Sequence, residues 1–190
     1  MSDVILKNVT KKFGENVVLS DFSYTFKSGE TTCIVGPSGC GKTTLLNMIM
    51  GIQQPDGGEI SGVPEKISCV FQENRLCEDF SAVSNVKFVT GTSENVRENL
   101  ERLGITDFSG PVKKFSGGMK RRVAIVRAMC YDGELVIMDE PFKGLDEKLK
   151  KITMDYVAEN IAGKTVIMVT HDREEVDFFA DNVLDLGDLK

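Results

Sequence analysis

The sequence predicts an α/β fold with a mostly parallel β-sheet. Short, continuously apolar runs alternate with segments of helical pattern, which is typical of strands buried on both faces beneath helices. A glycine-rich segment, residues 36–43, lies between one such run and one such helix. Polar residues follow the later apolar runs, at the edge of the sheet where α/β folds bind their ligands.

Composition limits the classes of function. The chain has 190 residues, a net charge of −6 and a pI near 5.0. This length allows one substantial core, alone or with a small lobe. The negative charge argues against broad electrostatic binding to nucleic acid. We therefore expect function to come from specific sites, with no nucleic-acid partner.

Two further features concern the compartment. No stretch approaches the roughly 20 apolar residues that a membrane-spanning helix needs, and the N-terminus lacks the basic-then-apolar pattern of a signal peptide. We therefore expect a cytoplasmic protein. Its five cysteines are an odd number without metal-ligand spacing, which predicts reduced, mostly buried thiols and no zinc site.

The chain begins with a predicted antiparallel β part. Strand-like alternation at residues 4–6 and 17–19 is separated by a turn at 13–16, and further turns follow at 27–29 and 55–58. The apolar runs that predict the parallel strands are residues 32–35, 66–71, 135–138 and 165–169.

A small helical subdomain is predicted from about residue 73 to 126, where the strand character fades. Its clearest predicted helix begins after the N-cap Ser93 and ends before Gly104. We therefore expect a single domain over residues 1–190, in which residues 1–72 and 127–190 form the core.

The glycine-rich segment fits the phosphate-binding loop pattern of glycine, four residues, glycine, lysine, then serine or threonine. The glycines let backbone N–H groups close around phosphate oxygens. Lys42 supplies positive charge, and the Thr43 hydroxyl can hold Mg²⁺. A preceding strand and a following helix are the required setting, so a glycine-rich turn that binds nothing is the weaker alternative. The loop residues are Gly36, Pro37, Ser38, Gly39, Cys40, Gly41, Lys42 and Thr43.

Three polar residues at strand ends are candidates for chemistry. Asp139 can bind Mg²⁺ directly or through water, and Glu140 can polarise an attacking water. Phosphoryl hydrolysis requires both roles, a metal ligand and a group that activates water. The alternative is that this pair only caps the following turn. His171 is the only histidine, and its position after a buried strand favours a functional role over an ordinary surface or core role.

A second candidate phosphate site is Ser116-Gly117-Gly118. It precedes a predicted helix over about residues 119–129, whose N-terminus presents N–H groups and a favourable dipole to an anion. Taken in isolation, a flexible turn that only caps the helix is the more common explanation. The order of motifs along the whole chain favours the phosphate site.

That order resembles the ATP-binding cassette (ABC) ATPase family. The motifs that carry the resemblance are the phosphate loop, Gln72 after its strand, and residues 115–119, 135–140, 144–146 and His171. The resemblance spans most of the chain and implies a RecA-like P-loop NTPase core that binds ATP with Mg²⁺ and hydrolyses it. Other phosphate-loop families, such as kinases and GTPases, would leave the Ser-Gly-Gly segment and the histidine unexplained.

In that family two cassettes dimerise head to tail, and the Ser-Gly-Gly segment of one covers the ATP bound to the other. The resemblance implies catalytic roles for Lys42, Gln72, Glu140 and His171. It also implies adenine stacking by Phe13, nucleotide binding by Thr44, contact with Mg²⁺ or water by Gln72, and contact with the opposing subunit by Asp146. Stacking is physically reasonable for Phe13, and a buried core position is the alternative.

Three residues depart from the family pattern: Phe13 where tyrosine is frequent, Phe115 where leucine is common, and Met119 where glutamine is common. Phe13 and Phe115 keep the apolar character of the residues that are usual at those positions. Met119 lacks an amide that could form a hydrogen bond across the dimer. We therefore expect a closed dimer that is less specific or less stable.

The resemblance implies an ATPase subunit of an ABC transporter on the cytoplasmic face of the membrane. Its expected partners are transmembrane permease subunits, a second ATPase subunit and, indirectly, a solute-binding protein. Residues 71–76 and 139–142 are similar to the nitrate, sulfonate and taurine importer branch, which favours import. The alternative is a soluble ABC ATPase that acts on DNA or ribosomes, although the sequence has no coiled-coil insertion and only one cassette.

Overall fold

The computed structural model describes residues 2–92 and 94–187. The chain divides into two compact units, which we call unit 1 and unit 2. Unit 1 comprises Met1–Ile67, Glu134–Asp139 and Gly163–Lys190, and unit 2 comprises Ser68–Gly133 and Glu140–Ala162. These boundaries differ from the predicted helical subdomain of residues 73–126, and that subdivision stays a prediction.

The described residues form strands and helices in an alternating order after the first hairpin. The strands are β1 (Val4–Phe13), β2 (Asn16–Phe26), β3 (Thr31–Val35), β4 (Gly57–Ser61), β5 (Ile67–Val70), β6 (Leu135–Asp139), β7 (Thr165–Val169) and β8 (Asn182–Asp185). The helices are α1 (Lys42–Ile49), α2 (Ala82–Thr90), α3 (Val96–Arg102), α4 (Gly117–Cys130), α5 (Glu147–Ile161) and α6 (Arg173–Phe179), with a 3₁₀ turn at Val112–Lys114.

The predicted antiparallel β part is a three-stranded sheet in the order β2-β1-β4. Leu6 of β1 lies opposite Tyr24 on one side and Ile60 on the other. Val4 and Leu6 are buried while Ile5 is exposed, as the two-residue period of a half-buried strand requires. The sequence predicts a turn where β4 begins and no strand there, because Gly57 and Gly58 weaken a strand pattern.

The predicted parallel sheet has five strands in the order β5-β6-β7-β3-β8. Every residue of β6 and β7 is buried, which explains why their sequences are continuously apolar. In the parallel register Asp139 lies opposite Val169, and Ile34 lies beside the same residue. The ends of β6, β7 and β3 therefore lie side by side, and the predicted α/β fold class is confirmed.

The helices agree with the sequence in type but differ in detail. The predicted helix before Gly104 is α3, which begins at Val96, and its predicted N-cap Ser93 lies outside the described residues. No sequence pattern predicted α2 or α6. The spacing of Leu149, Ile152, Tyr156 and Val157 predicts a single apolar face on α5, but Ile152 is exposed, and the buried residues of α5 include Lys150 and Thr153.

Unit 2 is built around α4, against which α2 and α3 pack. One buried amide, that of Asn85 on α2, organises the preceding turn. Its Oδ1 accepts from the N–H of Cys77 at 2.7 Å, while its Nδ2 donates to the carbonyls of Cys77 at 3.1 Å and Ser81 at 3.0 Å. The carbonyls of Cys77 and Ser81 also accept from the N–H groups of Phe80 and Asn85. The side chain therefore ties residues 77–81 to α2, and it is the partner that satisfies the N–H of Cys77.

Candidate active site

The phosphate-binding loop joins β3 to α1, which begins at Lys42. Gly41 has φ +108°, and a Cβ there would lie 2.6 Å from Cγ1 of Val18. Gly36 has φ +137°, and a Cβ there would lie 3.0 Å from Sγ of Cys40. Both backbone conformations are ones that L side chains rarely adopt. The loop therefore needs glycine for its close curvature as well as for its dihedral angles.

The ammonium of Lys42 lies inside this loop. It donates to the carbonyls of Gly36 at 2.7 Å and Pro37 at 2.9 Å, and lies 3.8 Å from Sγ of Cys40. Cys40 itself is buried. A positive charge is thus held within a curve of backbone at a helix N-terminus, which is an arrangement suited to phosphate oxygens.

The structure brings together two residues that the sequence predicts as Mg²⁺ ligands. The hydroxyl of Thr43 donates to Oδ2 of Asp139 at 2.8 Å, and Asp139 is buried. A hydroxyl and a carboxylate are the hard oxygen ligands that Mg²⁺ prefers. Among residues 2–92 and 94–187, no group of three or more His, Cys, Asp or Glu side chains could hold a metal alone. The pair therefore fits an ion whose other ligands are phosphate oxygens and water.

His171 lies in the turn between β7 and α6, with an exposed side chain. Its neighbour Thr170 donates through its hydroxyl to Oε2 of Glu175 at 2.5 Å and accepts from the N–H of Asp172 at 3.1 Å. Asp172 then caps α6 by accepting from the N–H of Glu174. These hydrogen bonds fix the backbone on both sides of His171.

Glu140 directly follows β6 and is the first residue of the next segment of unit 2. Its φ of +47° lies in the left-handed region, which is uncommon for a residue with a side chain. Its Oε2 accepts from Nζ of Lys143 at 2.5 Å. Strained backbone conformations are often retained at functional sites, so this geometry is consistent with the predicted role as general base.

Gln72 is an exposed residue at the end of β5. Its carbonyl accepts from Nη1 of Arg121 at 3.4 Å, and the same guanidinium donates through Nη2 to the carbonyl of Glu140 at 2.5 Å. Neither Arg121 nor Lys143 is among the residues predicted from the sequence. Each is marked there only by being a basic residue close to a predicted motif.

The Ser-Gly-Gly segment forms the N-terminus of α4. Oγ of Ser116 accepts from the N–H of Met119 at 3.2 Å, and Ser116 and Gly117 are exposed. Phe115, which stands where leucine is common in the family, is buried, as expected of an apolar residue. Asp146 has an equivalent local role, because it caps α5 by accepting from the N–H of Leu149 at 3.0 Å.

Phe13 ends β1 with half of its surface exposed (50%). The Nζ of Lys11 lies 5.5 Å from its ring centroid. The alternative of a buried core position is therefore wrong. An exposed ring of this kind is available to stack on a planar ligand.

Residues 19–143 match the family described as ABC transporter. The chain belongs to the ABC transporter family. The match includes the phosphate loop, the Ser-Gly-Gly segment and Glu140, and the predicted family is confirmed.

Individual relatives of this ABC protein are import ATP-binding proteins. The chain is 38% identical to the taurine import ATP-binding protein TauB of Pelagibacter ubique, over 92% of this chain and 75% of the relative. It is also 38% identical to the spermidine/putrescine import ATP-binding protein PotA of Clostridium acetobutylicum, over 96% of this chain and 58% of the relative. The predicted resemblance to the taurine and sulfonate importer branch is confirmed.

A solved ABC structure has the same fold. The cassette MJ0796, described as a dimeric bacterial ABC transporter cassette, is 29% identical with a TM-score of 0.85, over 97% of this chain and 95% of that one. A second MJ0796 dimer, described as a post-hydrolysis state, holds ADP and Pi. This chain is therefore an ABC ATPase that binds and hydrolyses ATP as a transporter subunit, as predicted. Among the described residues, no helix combines the length and apolar character needed to span a bilayer.

Proposed function

We propose that this ABC ATPase powers the import of a solute through separate permease subunits, as a peripheral subunit on the cytoplasmic face of the membrane. Its relatives TauB and PotA are both named as import proteins, which supports the direction of transport. A solute-binding protein is a further, indirect partner. The alternative activity on DNA or ribosomes finds no support in the comparisons.

Two glycine-containing segments, each at the start of a helix, carry the proposal. Lys42 and the loop belong to unit 1, whereas Ser116 and the N-terminus of α4 belong to unit 2. Each presents backbone N–H groups at the start of a helix, with Ser116 and Gly117 exposed. We infer that two copies, or two homologous cassettes, share each ATP head to tail. The dimeric MJ0796 cassettes support this arrangement.

Each loop residue has a distinct task in this proposal. The N–H groups of residues 36–43, with Thr44, surround the phosphates, and the Lys42 ammonium exchanges its carbonyl partners for phosphate oxygens. Thr43 and Asp139 would hold Mg²⁺, which would neutralise the negative charge of the phosphates. Phe13 stacks on the adenine.

The remaining residues act on the attacking water. The oxygen of the water forms a bond to the γ-phosphorus, and Glu140 accepts the proton that this water releases. The bond from the γ-phosphorus to the bridging oxygen of ADP breaks in the same step. Gln72 and His171 orient the water and the γ-phosphate. Hydrolysis then removes the phosphate that both cassettes bind, so the dimer opens and the permease changes state.

Light scattering of a Glu140→Gln variant tests the shared-ATP dimer. With ATP and Mg²⁺ we expect twice the monomer mass, because slowed hydrolysis traps the bridge, and monomer mass without ATP. Ser116→Arg in the same background should abolish the shift, whereas Ser20→Arg on the exposed side of β2 should not. A persistent monomer that demonstrably binds ATP would overturn the homodimer and require a different partner cassette.

The permease-docking surface is proposed within residues 72–89. There Phe80 and Phe88 are 51% and 55% exposed, with ring centroids 5.0 Å apart and an edge-to-face angle of 82°. Val89, the next residue after Phe88, is also exposed, and exposed apolar patches are typical of protein contacts. With its permease, Phe80→Asp should abolish solute uptake and spare basal ATP hydrolysis. The matched variant Phe178→Asp on α6 should change neither, and unchanged uptake in Phe80→Asp would exclude this surface.

A further inference from the structure

Arg121 is a charged residue in the core of unit 2, with 4% of its surface exposed. It lies one turn into α4. Its guanidinium donates to backbone carbonyls of two chain segments that are far apart in sequence, residues 71–72 and 140–141. A buried guanidinium needs several hydrogen bonds to offset its lost hydration, and these carbonyls provide them.

The two edges of the guanidinium bind different segments. Nε donates to the carbonyl of Pro141 at 2.7 Å, and Nη2 donates to that of Glu140 at 2.5 Å. Nη1 donates to the carbonyl of Phe71, and lies 3.4 Å from both the carbonyl of Gln72 and Oδ1 of Asn74. The planar group keeps these donors in a fixed relative geometry, so it fixes the distance between the two segments.

Both segments carry residues of the proposed hydrolytic site. Glu140 is the proposed general base, and its backbone has the unfavourable φ of +47°. Gln72 is the proposed contact to Mg²⁺ or water. A hydrogen bond to the Glu140 carbonyl restrains the peptide that sets the direction of its side chain. A displacement of residues 71–74 would therefore be transmitted to Glu140 through the side chain of Arg121.

We propose that Arg121 is a positioning residue for ATP hydrolysis, which holds Glu140 in register with the Gln72 segment. This inference rests on the proposed function, because it assigns the base to Glu140. Arg121 has no direct contact with ATP in this proposal and acts only through the two segments. Its loss should therefore slow the chemical step and leave ATP binding to the loop of unit 1 intact.

The test compares Arg121→Gln with Arg127→Gln. Arg127 also lies on α4 and donates to the carbonyls of Asn74 and Arg75, at 3.0 Å and 2.7 Å. We expect Arg121→Gln to lower kcat by about 10- to 100-fold, with the Kd for MgATP changed less than about twofold. Arg127→Gln should lower kcat less than about threefold. An equal loss in both variants would mean that Arg121 only supports the fold of the 71–75 segment.

A double-mutant cycle with Glu140→Gln separates positioning from general damage. If Arg121 acts through Glu140, adding Arg121→Gln to Glu140→Gln should not slow residual phosphate release further. Multiplied losses would overturn the proposal. An unimpaired Glu140→Gln single variant would instead overturn the proposed function, so the two failures are distinguishable.

Arg121→Lys provides a second variant if Arg121→Gln does not fold. Lysine keeps the charge and much of the volume but cannot supply the planar fork of donors. We expect its kcat to be lowered by about 10-fold or more, with a thermal unfolding transition that is still cooperative. Normal kcat in Arg121→Lys would show that charge alone suffices and would overturn the proposed geometry.

Discussion

Nζ of Lys143 lies 2.5 Å from Oε2 of Glu140, three residues earlier in the same turn. The carboxylate is nearly covered, with 16% of its side chain exposed, whereas 58% of the Lys143 side chain is exposed. The proposed general base is therefore already paired with a cation. An attacking water has to compete with this ammonium for the carboxylate.

We predict that Lys143→Met raises basal ATP hydrolysis. Because the Lys143 end of this ion pair is exposed to solvent, we expect the pair to contribute about 0.2–1 kcal/mol, as solvent-screened pairs do. That free energy has to be lost before Glu140 can accept a proton from water. Removing that cost should raise kcat up to about fivefold. The rate of phosphate release at saturating MgATP measures kcat. Lys151→Met, at an exposed lysine of α5, is the control, and a lower kcat in Lys143→Met would instead show that Lys143 assists the reaction.

Thr43→Val tests the proposed Mg²⁺ site. The substitution keeps the shape of the side chain but removes the hydroxyl that bonds Asp139 at 2.8 Å. We expect kcat to fall by about 10- to 100-fold and the Mg²⁺ concentration for half-maximal hydrolysis to rise. Titration of phosphate release with Mg²⁺ measures both, and chelation with EDTA should stop hydrolysis in the unmodified protein. An unchanged Mg²⁺ requirement would exclude Thr43 as a ligand.

Asn85→Ala should destabilise unit 2. The amide oxygen accepts from the N–H of Cys77, whereas the carbonyls of Cys77 and Ser81 keep backbone hydrogen bonds from Phe80 and Asn85. The substitution therefore leaves one backbone N–H without its partner, which costs about 1–3 kcal/mol. We expect the free energy of unfolding to fall by about 1–3 kcal/mol, measured by urea denaturation. Asn99→Ala, which loses only a contact to Sγ of Cys130 at 3.6 Å, should cost less than about 1 kcal/mol.

The cysteines should differ in reactivity with pH. Burial raises the pKa of the Cys33 thiol to about 12, with Glu175 and Asp181 adding to the effect. Burial also raises the pKa of Cys69 to about 11. Both stay protonated at pH 8, whereas Cys77 is exposed. Iodoacetamide at pH 8, followed by peptide mass analysis, should modify Cys77 first. Equal labelling of Cys33 in the folded protein would contradict this burial.

The same pKa shifts set the sign of an alkaline effect on stability. A thiol with a raised pKa keeps its proton in the folded chain at a pH where the unfolded chain has released it. The contribution of these two thiols to stability should therefore be complete below the ordinary thiol pKa of 9.0 and be lost as pH rises towards about 11 to 12. Cys33→Ala should reduce this loss in pH-dependent urea denaturation, and an unchanged pH profile would contradict the assignment to Cys33.

The cysteine prediction itself was only partly correct. The sequence analysis expected mostly buried thiols, and Cys33 and Cys40 are buried, but Cys69 and Cys130 are intermediate and Cys77 is exposed. Residue type gives a general preference for burial. It does not specify which side of a loop a cysteine occupies, because that depends on the segments packed around it.

The sequence by itself determined the phosphate loop, the parallel strands and the family. These features depend on local patterns: glycines at positions that need unusual dihedral angles, and apolar runs that only a fully covered sheet can bury. The tertiary structure alone decided that Arg121 binds the carbonyls of Glu140 and Pro141, and that Ile152 of α5 faces outward. Backbone carbonyls are the same for every residue, so no sequence pattern marks which ones a distant guanidinium will reach. Only the packing of chain segments, which brings groups far apart in sequence within hydrogen-bond distance, makes that choice.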